Sequence, residues 1–183
     1  MRGADKLLET VEGRPLLALL ACRARAAGCV VLVTLPPGDT ARRAALAGCD
    51  VCIVEVPKAA EGMAASLRAA AAAAAHMAGL MVLPGDMPEI EAADITSLRA
   101  AYLAAPTPRP ILRASTGEGR PGHPVILPPR LFPQVLQLRG DTGARDVLAT
   151  HRSEVRLHPL PGHRALTDLD TPEAWADWRA RQP

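Results

Sequence analysis

The chain has 183 residues, a formal net charge of +2 and only four Phe, Trp and Tyr side chains. The length suits one domain over residues 1–183, and the balanced charge with few aromatic rings argues against a nucleic-acid-binding surface. No apolar run approaches the ~20 residues of a membrane-spanning helix, and no secretory signal pattern opens the sequence. We therefore expect a cytoplasmic protein that binds neither membranes nor nucleic acid.

Helix and strand patterns alternate through the first 105 residues. Residues 13–28 have apolar side chains at helical spacing and end at a glycine, and 29–35 form a valine-rich run typical of a buried strand. The following segments are a helix at 40–48, a strand at 50–56, a helix at 62–79 that ends at Gly79, a strand at 80–86 and a helix at 90–105. This order predicts an α/β fold with a mostly parallel sheet covered by helices on both faces.

The second half has a looser pattern. We predict strands at 108–115, 122–128 and 154–160, and helices at 128–140, 142–151 and 171–182. The last helix has strong start signals, with Thr171 as N-cap and Pro172 at the first helical position. Trp175 and Trp178 lie three residues apart, so we expect them to share a face and pack on the sheet.

The four cysteines are Cys22, Cys29, Cys49 and Cys52. Cys49 and Cys52 form a C-x-x-C pair, but no second such pair completes a zinc site. We expect small buried side chains rather than disulfides or metal ligands.

The segment "LPGDMPEI" at 83–90 ends an apolar strand on one carboxylate, Asp86. Ligands of parallel α/β folds bind beyond the carboxyl ends of the strands, which is where Asp86 falls. Gly85 would allow a close approach and Pro88 would stiffen the turn, and a carboxylate there would suit Mg²⁺. A cap of the turn or of the next helix is an equally good interpretation of this segment alone.

Three other segments carry candidate residues. Lys6 precedes an apolar pair, Gly62 and Ser66 lie at a predicted helix start, and Asp168 and Asp170 precede the final helix. Taken separately, they could be a solvated lysine, a helix cap and a polar loop.

Together these segments resemble the nucleotidyltransferases of the molybdenum cofactor type, and most of all molybdenum cofactor cytidylyltransferase. The resemblance covers nearly the whole chain and implies a three-layer, Rossmann-like nucleotidyltransferase fold. Its later segments favour the cytidylyl over the guanylyl branch. The matching segments are "EGMAASLRA" (61–69), "GDMPEI" (85–90), "GRPGHPVILP" (119–128), "LRGDTGARDVL" (138–148) and "DLDTPEAW" (168–175).

The resemblance implies transfer of CMP from CTP to the terminal phosphate of molybdopterin cofactor, with release of pyrophosphate. Such a step depends on positioning and charge neutralisation. Asp86 would hold Mg²⁺, one of Asp168 and Asp170 would complete the metal site or orient the acceptor, and Lys6 would neutralise phosphate charge.

Further roles follow from the same resemblance. Gly62 and Ser66 would contact the nucleobase or ribose, while His123, Asp141 and Arg145 would face the pterin substrate. Asp141 could instead cap the helix predicted at 142–151, and His123 could be a hydrogen-bonded loop histidine. A molybdenum enzyme is a possible recipient of the product.

The beginning of the chain departs from the family. The family opens with a central strand and a glycine loop, Leu-Ala-Ala-Gly-x-Ser-x-Arg-Met-Gly, of which only Arg2 and Gly3 correspond here. The missing glycines would bind the triphosphate. A misplaced start with roughly 20 further residues or a truncated, impaired product would explain this, and we favour the first. We expect a version carrying the segment to bind CTP more tightly.

Two rival functions stay open. One is a non-catalytic protein that holds the nucleotide or the molybdenum cofactor, favoured by the missing glycine loop but not by three retained carboxylates. The other is a nucleotidyltransferase for another small phosphate, such as a sugar 1-phosphate, which would not need the Gly-His-Pro and Gly-Asp-x-Gly-Ala-Arg segments.

Overall fold

The architecture is that of a computed structural model, which describes residues 5–141 and 143–181. Arg2 and Gly3 lie outside the described residues. The strands are Thr10–Val11 (β1), Arg14–Pro15 (β2), Leu32–Leu35 (β3), Cys52–Glu55 (β4), Leu80–Val82 (β5), Ile111–Ser115 (β6), Pro121–Leu127 (β7) and Val155–Pro159 (β8). The α-helices are Leu16–Ala26 (α1), Thr40–Ala45 (α2), Met63–Ala73 (α3), Ala92–Ala104 (α4), Phe132–Val135 (α5), Arg145–Thr150 (α6) and Pro172–Ala180 (α7).

The strands pair in three groups. β3 and β4 are parallel, β5, β7, β6 and β8 form a four-stranded sheet in that order, and β1 and β2 form a small hairpin. Within the four-stranded sheet β7 runs antiparallel to both neighbours, whereas β6 and β8 are parallel. The predicted α/β class is confirmed, but the pairing is parallel only in part because β6 returns directly into β7 as a hairpin.

Helices cover both faces of the four-stranded sheet. Side chains of a strand alternate between faces, so Ile126 of β7 joins a core with α1, α4 and α7, while Val125 and Leu127 join a core with α3, α5 and α6. A third core lies between α1 and the β3–β4 pair. The expected three layers are therefore present, and the central strands β6 and β7 are the ones buried from both sides. The β4 strand, in contrast, contains no buried residue.

Several helices are shorter than predicted, and two of the predicted helices differ most from the structure. The α3 helix ends at Ala73 rather than at Gly79. A Cβ at Gly79 would lie 2.8 Å from the ring of Tyr102, so this glycine makes room for an aromatic side chain instead of ending a helix. The segment predicted as one helix at 128–140 is a 3₁₀ turn, Pro129–Leu131, followed by the short α5.

The final helix follows its prediction closely. The Thr171 side chain accepts a hydrogen bond from the Ala174 N–H (3.1 Å), and Pro172 is the first helical residue. Trp175 and Trp178 are both buried and make an edge-to-face contact with ring centres 5.8 Å apart. In the described part of the chain no helix is long and apolar enough to cross a membrane.

Candidate active site

One lysine joins two carboxylates from distant parts of the chain. Lys6 Nζ donates to Asp86 Oδ2 at 2.6 Å and to Asp170 Oδ1 at 2.5 Å. The Asp86 side chain is 16% exposed, whereas that of Asp170 is 66% exposed. The site is therefore mostly buried at Asp86 and open to solvent at Asp170. The interpretation of Lys6 as a merely solvated lysine is wrong.

Local structure aims each of the three side chains. Asp86 lies in the turn that follows β5, and Asp170 immediately precedes the N-cap of α7. Lys6 begins a 3₁₀ turn, Lys6–Leu8, in which the Asp5 side chain accepts from the Leu7 N–H at 3.1 Å. Arg42 of α2 donates to the same Asp5 side chain at 2.8 Å. Arg42 therefore anchors the 3₁₀ turn that carries Lys6 to α2, through Asp5.

Gly85 allows this turn to lie against Asp86. A Cβ at Gly85 would be 3.0 Å from the Leu7 side chain, tighter than most such contacts. In the structure the close neighbour of Gly85 is Leu7, next to Lys6, and the close approach of a ligand expected at Gly85 stays a prediction.

Backbone and side-chain bonds connect the Asp86 loop to the loop that carries Asp170. The Leu169 N–H donates to the Asp86 carbonyl at 3.1 Å. Glu89 accepts from the Thr167 hydroxyl at 2.8 Å and from the Trp178 indole N–H at 3.1 Å. Sequence reasoning missed Glu89, although it stands inside the 83–90 segment, because its partners lie more than 70 residues away.

The Asp86 loop is also anchored on α1. The Arg23 guanidinium donates to the carbonyls of Pro88 and Ile90 at 2.8 and 2.9 Å. The next helix, α4, has Glu91 as its N-cap, and Asp94 accepts from the Glu91 N–H. Asp86 therefore does not cap that helix, which leaves its carboxylate available to the site.

Asp168 and Asp170 flank a buried residue. Leu169 is 3% exposed and packs in the core with α7, so both neighbouring aspartates are directed to the surface. Asp170 reaches Lys6, whereas Asp168 makes no described bond to Lys6 and lies near His123 instead. The structure therefore brings Asp86 and Asp170 together directly, with Asp168 beside them.

His123 belongs to strand β7 rather than to a loop. The backbone N–H of His123 donates to the Ala165 carbonyl at 2.9 Å, and this bond connects β7 to the loop before α7. Burial lowers the pKa of His123, and Arg113 lowers it further, although Asp86 and Asp168 act in the opposite direction. The imidazole is therefore neutral near pH 7.

Lys6 is charged in this site. Burial alone would lower the pKa of its ammonium group, but the hydrogen bonds to Asp170 and Asp86 outweigh burial and raise it. One cation thus compensates half of the negative charge of the two carboxylates.

The carboxylate pair has features that suit a divalent cation. Asp86 Oδ1 is buried and accepts no hydrogen bond from the described residues. The two oxygens that contact Lys6 are at most about 5.1 Å apart, since both touch one nitrogen at 2.6 and 2.5 Å. In the described ranges, no group of three or more His, Cys, Asp or Glu side chains is arranged to hold a metal ion by itself. Asp86 and Asp170 could thus hold an ion such as Mg²⁺ whose other ligands are phosphate oxygens and water.

A second group of expected site residues lies at the N-terminus of α3. Gly62, with φ +97°, is the N-cap, and Asp141 Oδ1 accepts from the Met63 N–H at 3.1 Å. A Cβ at Gly62 would lie 2.9 Å from that carboxylate. Asp141 therefore caps α3, not the helix predicted at 142–151.

The remaining expected site residues, Ser66 and Arg145, make no described bond to Lys6, Asp86 or Asp170. Ser66 is half-buried in the first turn of α3, and Arg145 is exposed at the start of α6. Among the residues that the structure describes, no hydrogen bond or ion pair joins Gly62, Ser66, Asp141 or Arg145 to the Lys6 cluster. Among the expected site residues, direct bonds therefore join Lys6, Asp86 and Asp170, while Gly62 and Asp141 meet at the start of α3.

Comparisons with known proteins agree with this fold. Rv0371c from Mycobacterium tuberculosis H37Rv is 28% identical, with a TM-score of 0.79 over 98% of this chain and 92% of that chain. A structure of Rv0371c in complex with manganese is 27% identical, with a TM-score of 0.76 over 97% and 92%. An rv0371c homolog from Mycobacterium sp. strain JC1 is 26% identical, with a TM-score of 0.80 over 97% and 88%.

CMP:2-keto-3-deoxy-manno-octonic acid synthetase in complex with CTP shares the fold at 13% identity, with a TM-score of 0.73 over 96% of this chain and 90% of that chain. No curated protein matches this sequence. Residues 1–155 match the MobA-like NTP transferase domain. Since this match spans most of the chain, the protein belongs to the MobA-like NTP transferase domain family and is a nucleotidyltransferase.

Proposed function

We propose that this protein transfers CMP from CTP to the terminal phosphate of molybdopterin cofactor, with Mg²⁺ held by Asp86 and Asp170. An oxygen of the acceptor phosphate would bond to the α-phosphorus of CTP, and the bond from that phosphorus to the bridging oxygen would break, releasing pyrophosphate. The proposal is supported by the convergence of Lys6, Asp86 and Asp170 at one site and by the five sequence segments that resemble the cytidylyl branch.

The Lys6 bridge is the observation that carries the proposal. Two carboxylates that share one cation have the spacing to share another, and the buried Oδ1 of Asp86 has capacity to accept. When bound, a divalent ion would neutralise charge on the triphosphate. Lys6, released from one carboxylate, would then donate to a phosphate oxygen as a second positive group.

Neighbouring residues would keep this arrangement in place. Neutral His123 lies beside Asp86 and Asp168, so it can donate or accept a hydrogen bond without adding charge to the site. Asp168, exposed on the same loop, would orient the acceptor. Glu89 would hold the two loops at the spacing that Lys6 spans.

The cluster at α3 would bind the rest of the substrates. Gly62 and Ser66 would contact the nucleobase or ribose through the Gly62 backbone and the Ser66 hydroxyl. The N–H groups of Met63 and Ala64 already donate to Asp141 and to the Gly140 carbonyl. Asp141 and Arg145 would contact the pterin substrate, and Arg145 is suited to bind a phosphate with two parallel hydrogen bonds. Delivery to a recipient molybdenum enzyme and a cytoplasmic location stay predictions of the sequence.

A non-catalytic protein that holds the nucleotide or the molybdenum cofactor is the second candidate. It is favoured by one observation, since Lys6 forms an ion pair with each of the two carboxylates and so compensates part of their charge within the protein. Such a protein would bind CTP or the cofactor with an affinity that does not depend on divalent ions.

Pyrophosphate release tests the first proposal. The wild-type protein would be incubated with molybdopterin, Mg²⁺ or Mn²⁺, and CTP, GTP or ATP in turn. We expect release with CTP and a loss of at least about 10²-fold in Asp86→Asn, because the variant keeps the shape of the side chain but not its charge. The Asp86→Ala variant should also lose metal-dependent transfer while remaining folded.

Asp177→Asn is the matched control, since Asp177 is an exposed carboxylate on α7 that makes no described bond to Lys6. Equal turnover by Asp86→Asn and wild type would remove Asp86 from the mechanism. CTP binding without pyrophosphate release would favour the non-catalytic candidate, and turnover with another phosphate acceptor would replace molybdopterin as the substrate.

A further inference from the structure

Two cysteines distant in sequence face each other between α1 and the turn after α2. Cys22 Sγ and Cys49 Sγ are 3.7 Å apart, which is hydrogen-bonding distance for thiols. The sulfurs of a disulfide are about 2.05 Å apart, so bond formation needs them to approach by less than 2 Å. The C-x-x-C partner of Cys49, Cys52, is exposed at the start of β4 and makes no described contact with Cys49.

The surrounding contacts hold this pair in register. Cys22 and Arg25 share one face of α1 because they are three residues apart. Arg25 forms an ion pair with Asp50, the residue after Cys49. Cys49 also packs against the core that includes Ala21, the residue before Cys22. The turn that carries Cys49 is therefore fixed against α1 from two sides.

Both thiols are accessible enough to react. Each is partly exposed, so a small molecule in solution can reach the pair. Arg14 Nη1 lies 3.6 Å from Cys22 Sγ and donates to it. A cation at this position stabilises the negative charge that builds on sulfur during thiol–disulfide exchange.

We propose that Cys22 and Cys49 are a site of reversible oxidation, in which a small-molecule disulfide such as oxidised glutathione converts them to an intramolecular disulfide. The thiolate of Cys22 attacks one sulfur of oxidised glutathione, and the glutathione S–S bond breaks to release one glutathione thiolate. The thiolate of Cys49 then attacks the Cys22 sulfur of the mixed disulfide and expels the second glutathione.

This exchange balances in electrons, protons and sulfur–sulfur bonds. Two electrons pass from the two cysteines to oxidised glutathione, and the two thiol protons end on the two reduced glutathione molecules. One sulfur–sulfur bond breaks in the oxidant and one forms in the protein.

A peptide map decides which cysteines pair. The wild-type protein would be equilibrated in glutathione buffers of increasing oxidised fraction, quenched with acid, alkylated and digested with trypsin. Cys22 falls in peptide 7–23, Cys29 in peptide 26–42, and Cys49 and Cys52 together in peptide 44–58. We expect peptides 7–23 and 44–58 to be linked, Cys29 and Cys52 to be alkylated, and dithiothreitol to reverse the link.

Cysteine variants provide matched controls. Cys52→Ser should reach half-oxidation within about twofold of the wild-type glutathione ratio, whereas Cys22→Ser should need a ratio at least about tenfold more oxidising to form any intramolecular bond. A bridge confined to peptide 44–58, mixed glutathione disulfides alone, or four alkylated cysteines in the most oxidising buffer would overturn the proposal. These outcomes are decided on the wild-type protein, so a variant that fails to fold does not obscure them.

Discussion

Gly122 should be irreplaceable even by alanine, because β7 touches the loop before α7 at this residue. A Cβ at Gly122 would lie 1.9 Å from the Ala165 carbonyl oxygen and 2.6 Å from its carbon. Contacts below 3.0 Å are essentially never found for real Cβ atoms, so the loop would have to move by about 1 Å. That movement also breaks the hydrogen bond from the His123 N–H to the same carbonyl.

The size of the effect follows from these two losses. Forcing a methyl group into a filled space costs about 1–3 kcal/mol, and the lost backbone bond adds about 1 kcal/mol. We therefore expect Gly122→Ala to lower the free energy of unfolding by about 2–4 kcal/mol in urea titrations. Because the displaced loop carries Asp168 and Asp170, we also expect weaker Mn²⁺ binding by calorimetry.

Gly117→Ala is the control in the same hairpin, since a Cβ at Gly117 has no atom within 4 Å. This variant should stay within about 0.5 kcal/mol of the wild-type protein. If Gly122→Ala were as stable as Gly117→Ala and bound Mn²⁺ equally well, the contact between β7 and the loop would not position the site.

Two further predictions concern the same region. The lowered pKa of His123 means that the unfolded chain takes up a proton at a higher pH than the folded protein, so stability should fall as the pH drops below 6.5. His123 contributes at most about 1.4 kcal/mol per pH unit to this fall. Between pH 7.5 and 5.5, the free energy of unfolding in urea should therefore fall less for His123→Gln than for the wild-type protein. An identical fall in both proteins would contradict a lowered pKa for His123. Glu89→Gln should lose one of the bonds from Thr167 and Trp178, which costs about 1–2 kcal/mol and weakens Mn²⁺ binding. The exposed Glu173→Gln should cost only about 0.5 kcal/mol, through its place in the first turn of α7, and should leave Mn²⁺ binding unchanged. Equal Mn²⁺ binding by the two variants in calorimetry would refute a positioning role for Glu89.

Local signals predicted the elements well. The start of α7 follows from Thr171 and Pro172, whose cap geometry depends only on neighbouring residues. The buried strands follow from their apolar runs, and Asp86 follows a strand as expected. Gly79 shows the limit of such signals, because a glycine placed for contact with Tyr102 looks the same in sequence as one that ends a helix.

The sequence did not predict which distant segments pair with one another. The position of β7 between β5 and β6 makes the sheet mixed, and nothing in the apolar pattern of β7 distinguishes an antiparallel partner from a parallel one. The same holds for the cysteines, which were expected to be small buried side chains. The structure leaves all four at least partly exposed and brings Cys49 to Cys22.

The sequence by itself determined the α/β class, the order of the elements and the residue types available for nucleotide chemistry, because hydrophobic periodicity and helix capping act over a few residues. Only the tertiary structure decided that Lys6 meets Asp86 and Asp170, 80 and 164 positions away. It also decided that Glu89 ties their loops together and that Asp141 caps α3. Such contacts depend on how buried surfaces pack and on where buried polar groups find partners, and neither property is written in the spacing of residues along the chain.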